Sequence, residues 1–180
     1  MSRTVHAALV LAAALLAAPL GLAGSGGAAR ADESAAAAAS LAAVTLEDQH
    51  GVARTVDAST RAVLFTSDMD AGDLVKAALA EGGAERLARA GAVYVADVSR
   101  MPGIIRRTMA EPAMRKRPYP MLLDREGEAT KGWPRTEGQA TLLVLDGLRV
   151  ERTQMLPTAD AVVSALDAVA APPAAGEPRR

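Results

Sequence analysis

The sequence predicts a three-layer α/β domain, a mixed central sheet flanked by helices, and three observations point to it. Two short apolar runs rich in strand formers, Arg61–Thr66 and Ala92–Asp97, are each followed by a segment with apolar residues at helical spacing. Two further strand-like runs are joined by Asp146-Gly147, a hairpin turn signal. An amphipathic stretch closes the pattern. Strands separated by helices pair in parallel, whereas a hairpin adds antiparallel strands, so the order as a whole requires a mixed sheet between helices.

Taken in chain order, residues 1–31 read as a secretory signal. A short start carries Arg3, and an Ala/Leu-rich apolar run extends from Ala7 to Ala23, interrupted by Pro19. Cleavage fits after Ala23 or after Ala31; the second site has the better small-x-small pattern, with Asp32 and Glu33 just beyond it. An uncleaved anchor is the alternative, although the run is short for a span of roughly 20 residues and contains a proline. A periplasmic location is expected. Residues 32–40 form an alanine-rich lead-in, 41–170 the folded domain, and 171–180 a Pro/Ala/Gly tail expected to be disordered.

Within the domain, Val44–Leu46 and Arg54–Val56 flank Gly51 as a small hairpin. Arg61–Thr66 is expected as a strand covered on both faces, and Ser67–Gly72 as the loop after it. From Asp73, the residues Leu74, Val75, Ala78 and Leu79 mark a helix that ends at Gly82-Gly83, with a further turn carrying Leu87 and Ala90. Ala92–Asp97 is the next strand. Met101-Pro102 opens a helix expected to run through Ala110. Thr141–Leu145 and Leu148–Thr153 form the hairpin, and Thr158 caps a last helix with Val162, Val163, Leu166 and Val169 toward the sheet.

Composition excludes several chemistries. The chain has no cysteine, so thiol nucleophiles, thiolate metal sites, iron–sulfur clusters and disulfides are ruled out. One of its two histidines, His6, lies in the signal, leaving His50 alone in a turn, too few for multi-histidine zinc sites. Taking Arg3 and Arg30 from the 20 basic residues leaves 18 against 21 acidic, a net charge near −3 that points to no nucleic-acid partner. The aromatics Phe65, Tyr94, Tyr119 and Trp133 are too sparse for base stacking, and Tyr119, Met121 and Trp133 are expected in the core.

The segment Tyr119-Pro-Met-Leu-Leu-Asp124-Arg-Glu-Gly127, then Trp133, then Thr141-Leu-Leu-Val-Leu-Asp146-Gly147 resembles the peroxiredoxin-like branch of the thioredoxin-like superfamily. Val98-Ser-Arg-Met-Pro-Gly-Ile-Ile105, Tyr119-Pro120 and Gly132-Trp133 are similar to the periplasmic YtfJ type. The resemblance implies a thioredoxin-like fold over about Leu41 to Ala170, with a Cys-x-x-Cys at a helix start, where dipole and free amides stabilise a thiolate. Asp70-Ala-Gly-Asp73 occupies that spacing, and aspartate forms no disulfide. The proline that such folds place before the third core strand corresponds to Ala140, or in another register to Pro120.

Asp68-Met-Asp70-Ala-Gly-Asp73 admits three readings: carboxylates capping a helix, a divalent cation site, or the Asp-x-Asp of a phosphatase of the haloacid-dehalogenase type, with Asp68 as nucleophile and Asp70 as proton shuttle. Arg106, Arg107, Arg115, Lys116 and Arg117 form either a solvated helix face or an anion-receiving patch. We expect no cofactor and a binding or scaffolding role, with Asp68, Asp70, Asp73, Tyr119 and Pro120, or the Gln139-Ala140 turn, facing an envelope protein or small ligand. A metal-dependent hydrolase is the alternative; an oxidoreductase identity would follow from family descent alone.

Overall fold

Strands β1 (Val44–Glu47) and β2 (Ala53–Val56) pair antiparallel, as their pattern predicts. Asp48 closes the turn between them. Its carboxylate accepts the amide N–H groups of His50 at 2.8 Å and Val52 at 3.0 Å, and the Arg54 Nε–H at 3.1 Å. Burial alone would raise the Asp48 pKa; the backbone and Arg54 bonds outweigh it and hold the carboxyl below its ordinary value. The structure, a computed structural model, describes residues 40–171. The expected signal peptide, the lead-in up to residue 39 and the tail from 172 lie outside the described residues.

The main sheet has the order β5-β4-β3-β6-β7. β3 (Ala62–Thr66) lies at its centre and is buried throughout, the consequence of an apolar run with no polar face. It pairs in parallel with β4 (Ala92–Asp97), which pairs in parallel with β5 (Leu122–Asp124). On its other side β3 is antiparallel to β6 (Ala140–Asp146), and β6 to β7 (Arg149–Leu156), with a bulge between Val144 and Leu145. The mixed sheet is thus the one predicted. β7 runs three residues past the expected Thr153, because β6 begins at Ala140 and offers partners as far as Leu156.

Alternate residues of β3 serve two cores. Ala62 and Leu64 face α1 (Met69–Ala78), α2 (Gly83–Ala90) and α5 (Ala159–Ala170), where they meet Val75, Leu79, Leu87 and Leu166. Val63 and Phe65 face the opposite way, against Val56, Leu122, Leu143 and Trp133. There the β1–β2 hairpin and the Trp133 loop form the covering layer, with the Phe65 and Trp133 rings edge to face at 5.2 Å. Fully burying a Leu or Phe side chain contributes about 1.5–3 kcal/mol. With no cysteine, these two cores carry the stability of the domain.

Two helices differ from the sequence expectation. α1 begins at Met69, not Asp73, because Asp68 is its N-cap and most of the anticipated loop is first turn. The helix after Pro102 runs through α3 (Gly103–Ile105) and a π-helical turn (Arg106–Ala110) into α4 (Glu111–Met114), four residues beyond the expected Ala110. Pro112 has no N–H, and in a regular helix its ring would meet the Thr108 carbonyl. The chain widens just before it, with the Glu111 N–H donating to the Arg106 carbonyl five residues back. The Thr158 cap is where its residue type predicts, accepting the Ala161 N–H at 3.2 Å. Among the described residues no helix is long and apolar enough to cross a membrane.

Candidate functional site

β3 and β4 are parallel neighbours, so their C-terminal ends lie side by side, and each chain then departs into its own helical segment. The gap left between α1 and the α3–α4 segment is a cavity of about 610 Å³. Its inner wall consists of buried residues, Thr66, Tyr94, Ala96, Tyr119 and Met121. Its rim carries exposed apolar side chains, Met69, Ile105 and Met109. A domain of this size seldom leaves such side chains in water without use, and Met69 is 73 % and Met109 68 % exposed. Ile105, Met109 and Ala110 all reach the wall from around the π-helical turn, a feature that often accompanies functional sites.

The acidic loop sits at one end of this cavity. Asp68 lines it, with its carboxylate engaged on both oxygens: Oδ1 accepts the Ala71 N–H at 2.9 Å and Oδ2 the Gly138 N–H at 3.3 Å. The second bond ties the start of α1 to the turn before β6. Asp73 also lines the cavity, lies 71 % exposed, and reaches Lys76 Nζ at 3.9 Å. Asp70 is exposed in the first turn of α1 and is not among the residues that line the cavity. Among the described residues no three His, Asp or Glu side chains are grouped to hold a metal ion.

Tyr119 is on the wall, whereas Pro120 beside it is exposed and off it. This segment is held by buried Gln49, whose Nε2–H donates to the Tyr119 carbonyl at 2.8 Å while its Oε1 accepts the Met121 N–H at 2.9 Å. Tyr94 shares a hydrogen bond of 3.1 Å with Thr66 Oγ1, and burial pushes its pKa up to about 12, so the phenol stays protonated at neutral pH. The register of the sheet places Ala140 at the head of β6, paired with Leu156. The described peptide bonds are all trans.

At the end of β4, Asp97 accepts the Ser99 N–H and Oγ–H at 3.0 and 2.6 Å and the Arg135 Nη1–H at 3.0 Å. Burial works to raise its pKa, but the Ser99 and Arg135 bonds prevail and lower it. Arg135 in turn lies 5.3 Å from the Phe65 ring centre, clamping the Trp133 loop to the sheet. The basic cluster divides. Arg106 and Arg115 flank the buried Glu111 carboxylate at 3.6 and 3.9 Å, together with Arg125 at 3.1 Å, so their role is structural. Arg107 and Lys116 are exposed, and Arg117 lines the cavity. His50 is exposed, as expected.

Sequence reasoning placed Met121 in the core, where it lies, and gave the other methionines no part in a site. Five of the seven, Met69, Met101, Met109, Met114 and Met121, line this one cavity. The available signal was their concentration in the segments that follow β3 and β4, together with Ile104 and Ile105, which the helical pattern left without a core to face.

No family model matches the chain, and no curated protein does. Solved structures do. The peroxidoxin BcpB of Mycobacterium tuberculosis is 20 % identical, the match covering 74 % of this chain and 94 % of that one, with a TM-score of 0.50. A hypothetical protein of Sinorhizobium meliloti is also 20 % identical, over 74 % and 83 % of the two chains, at a TM-score of 0.50. A Chlorobium tepidum chain assigned as the thiol:disulfide interchange protein DsbE is 12 % identical, over 74 % and 96 %, again at 0.50. The fold is therefore thioredoxin-like and peroxiredoxin-like, in a chain without cysteine.

Proposed function

We propose that this cysteine-less thioredoxin-like fold is a non-catalytic binding domain of the bacterial periplasm, and that it takes its ligand in the cavity at the C-terminal ends of β3 and β4. One observation carries the reading: an apolar, methionine-lined cavity of about 610 Å³ opens at the N-terminus of α1, where no thiol stands to do redox chemistry. Pockets of roughly 300–1,000 Å³ with apolar walls suit small molecules. Methionine is flexible and polarizable and adapts to irregular shapes. Asp68, Asp73 and Tyr119 border the site; Asp70 and Pro120 stand outside its wall, where a partner's surface would meet them. The periplasmic location rests on the N-terminal leader pattern.

The test is saturable binding of an apolar fluorophore, 1-anilinonaphthalene-8-sulfonate, to the natively folded protein, with Met109→Asp placing a charge on the rim. Binding at one site per chain, lost in the variant while the circular dichroism spectrum is retained, supports the proposal. No saturable binding at native pH overturns it.

A further inference from the structure

Resting on that reading, we infer that the cavity selects a free, monomeric single-chain amphiphile with an anionic head, a long-chain carboxylate, over neutral or cationic molecules of equal length. The argument is a census of the charges on the wall. Three carboxylates line it: Asp68, bonded to the Ala71 and Gly138 amides; Asp97, bonded to Ser99 and Arg135; and the exposed Asp73, 3.9 Å from Lys76 Nζ. Two guanidinium groups also line it, those of Arg100 and Arg117. Among the described residues neither has a carboxylate within ion-pair distance; Arg117 only donates to Tyr119 Oη at 3.4 Å.

Arg100 is exposed in the turn after β4, and Arg117 is half-buried just after α4. The wall also carries the thioethers together with Ile105, Pro102 and Val98. Tyr94 Oη is taken up by Thr66. An apolar body would bury against the methionines while its carboxylate takes guanidinium N–H donors, a charge-assisted pairing that also suits Arg geometrically. The exposed Met69 and Met109 at the rim give the chain a hydrophobic path between water and the inner wall.

The experiment is isothermal titration of the full-length mature protein with dodecanoate, dodecanol and dodecyltrimethylammonium, each below its micellar concentration, at pH 7.5 and low salt. Wild type should bind dodecanoate about tenfold more tightly than dodecanol, the worth of one charge-assisted bond, and the cation most weakly. Arg100→Gln/Arg117→Gln should bring dodecanoate to within about twofold of dodecanol while the circular dichroism spectrum is retained, and a preference for dodecanoate still near tenfold in this variant would overturn the role of the two arginines. Equal affinity for dodecanoate and dodecanol in wild type overturns the anion preference and leaves the apolar binding site intact. Binding of none of the three overturns both. Co-sedimentation with phosphatidylglycerol vesicles, together with no binding of free dodecanoate, would assign the surface to a membrane and overturn the inference of a free ligand.

Discussion

Replacing Asp68 decides whether this acid serves the fold or the chemistry. In Asp68→Ala, the Ala71 N–H at the start of α1 loses its acceptor, and an N-cap of this type contributes about 1 kcal/mol. The Gly138 N–H, at 3.3 Å from Oδ2, loses a second bond that contributes about another 1 kcal/mol. The expected cost is therefore about 2 kcal/mol, which in a domain of this size lowers Tm by roughly 8 °C. Asp68→Asn keeps an oxygen for the cap but turns an N–H toward Gly138, so about half the loss is expected. The assay is urea denaturation and thermal melting at pH 7, followed by circular dichroism at 222 nm. A melt of Asp68→Ala within about 1 °C of wild type would refute the capping account. So would an Asn variant as unstable as the Ala variant, since Asn is as good a cap as Asp.

Three further outcomes are expected. Gln49→Leu strands the Tyr119 carbonyl and the Met121 N–H, and should cost about 2–4 kcal/mol in urea denaturation while weakening fluorophore binding in the cavity those residues line; an unchanged midpoint would sink it. Asp97 has a lowered pKa in the folded state, so its contribution is complete above the ordinary value near 3.8 and is lost as pH falls through the lower folded value. Asp97→Asn should accordingly flatten stability against pH between about 5 and 2, and an unaltered acid limb would contradict this. Tyr94, an acid whose folded pKa is raised to about 12, favours the fold while neutral and disfavours it once ionised. Stability should fall as pH rises above the unfolded value of 10.0, and Tyr94→Phe should remove that part of the alkaline loss, seen in Tm from pH 9 to 12.

Much of the fold was legible because backbone periodicity is local. Arg61–Thr66 and Ala92–Asp97 are too short and too uniformly apolar for surface helices, and Asp146-Gly147 can hardly be anything but a turn. Element ends were less legible. The start of α1 depends on Asp68 capping Ala71, and a carboxylate in a sequence reads equally as cap, ligand or nucleophile until the donors it accepts from are placed. The length of the α3–α4 segment depends on a π-helical turn that lets Pro112 stay within a helix, which no propensity scale anticipates.

By itself, then, the sequence determined the mixed α/β plan, the absence of thiol chemistry and the capping residue Thr158, because these follow from residue identity and from spacings within one turn or one strand. The tertiary structure alone decided that Met69, Met101, Met109, Met114 and Met121, spread over 53 residues of chain, share one cavity. It also decided that Arg117 turns to the cavity wall. The physical reason is the same in both cases. Parallel pairing of β3 with β4 brings the two segments that follow them to one end of the sheet, and a one-dimensional pattern carries no record of which side chains face each other across that gap.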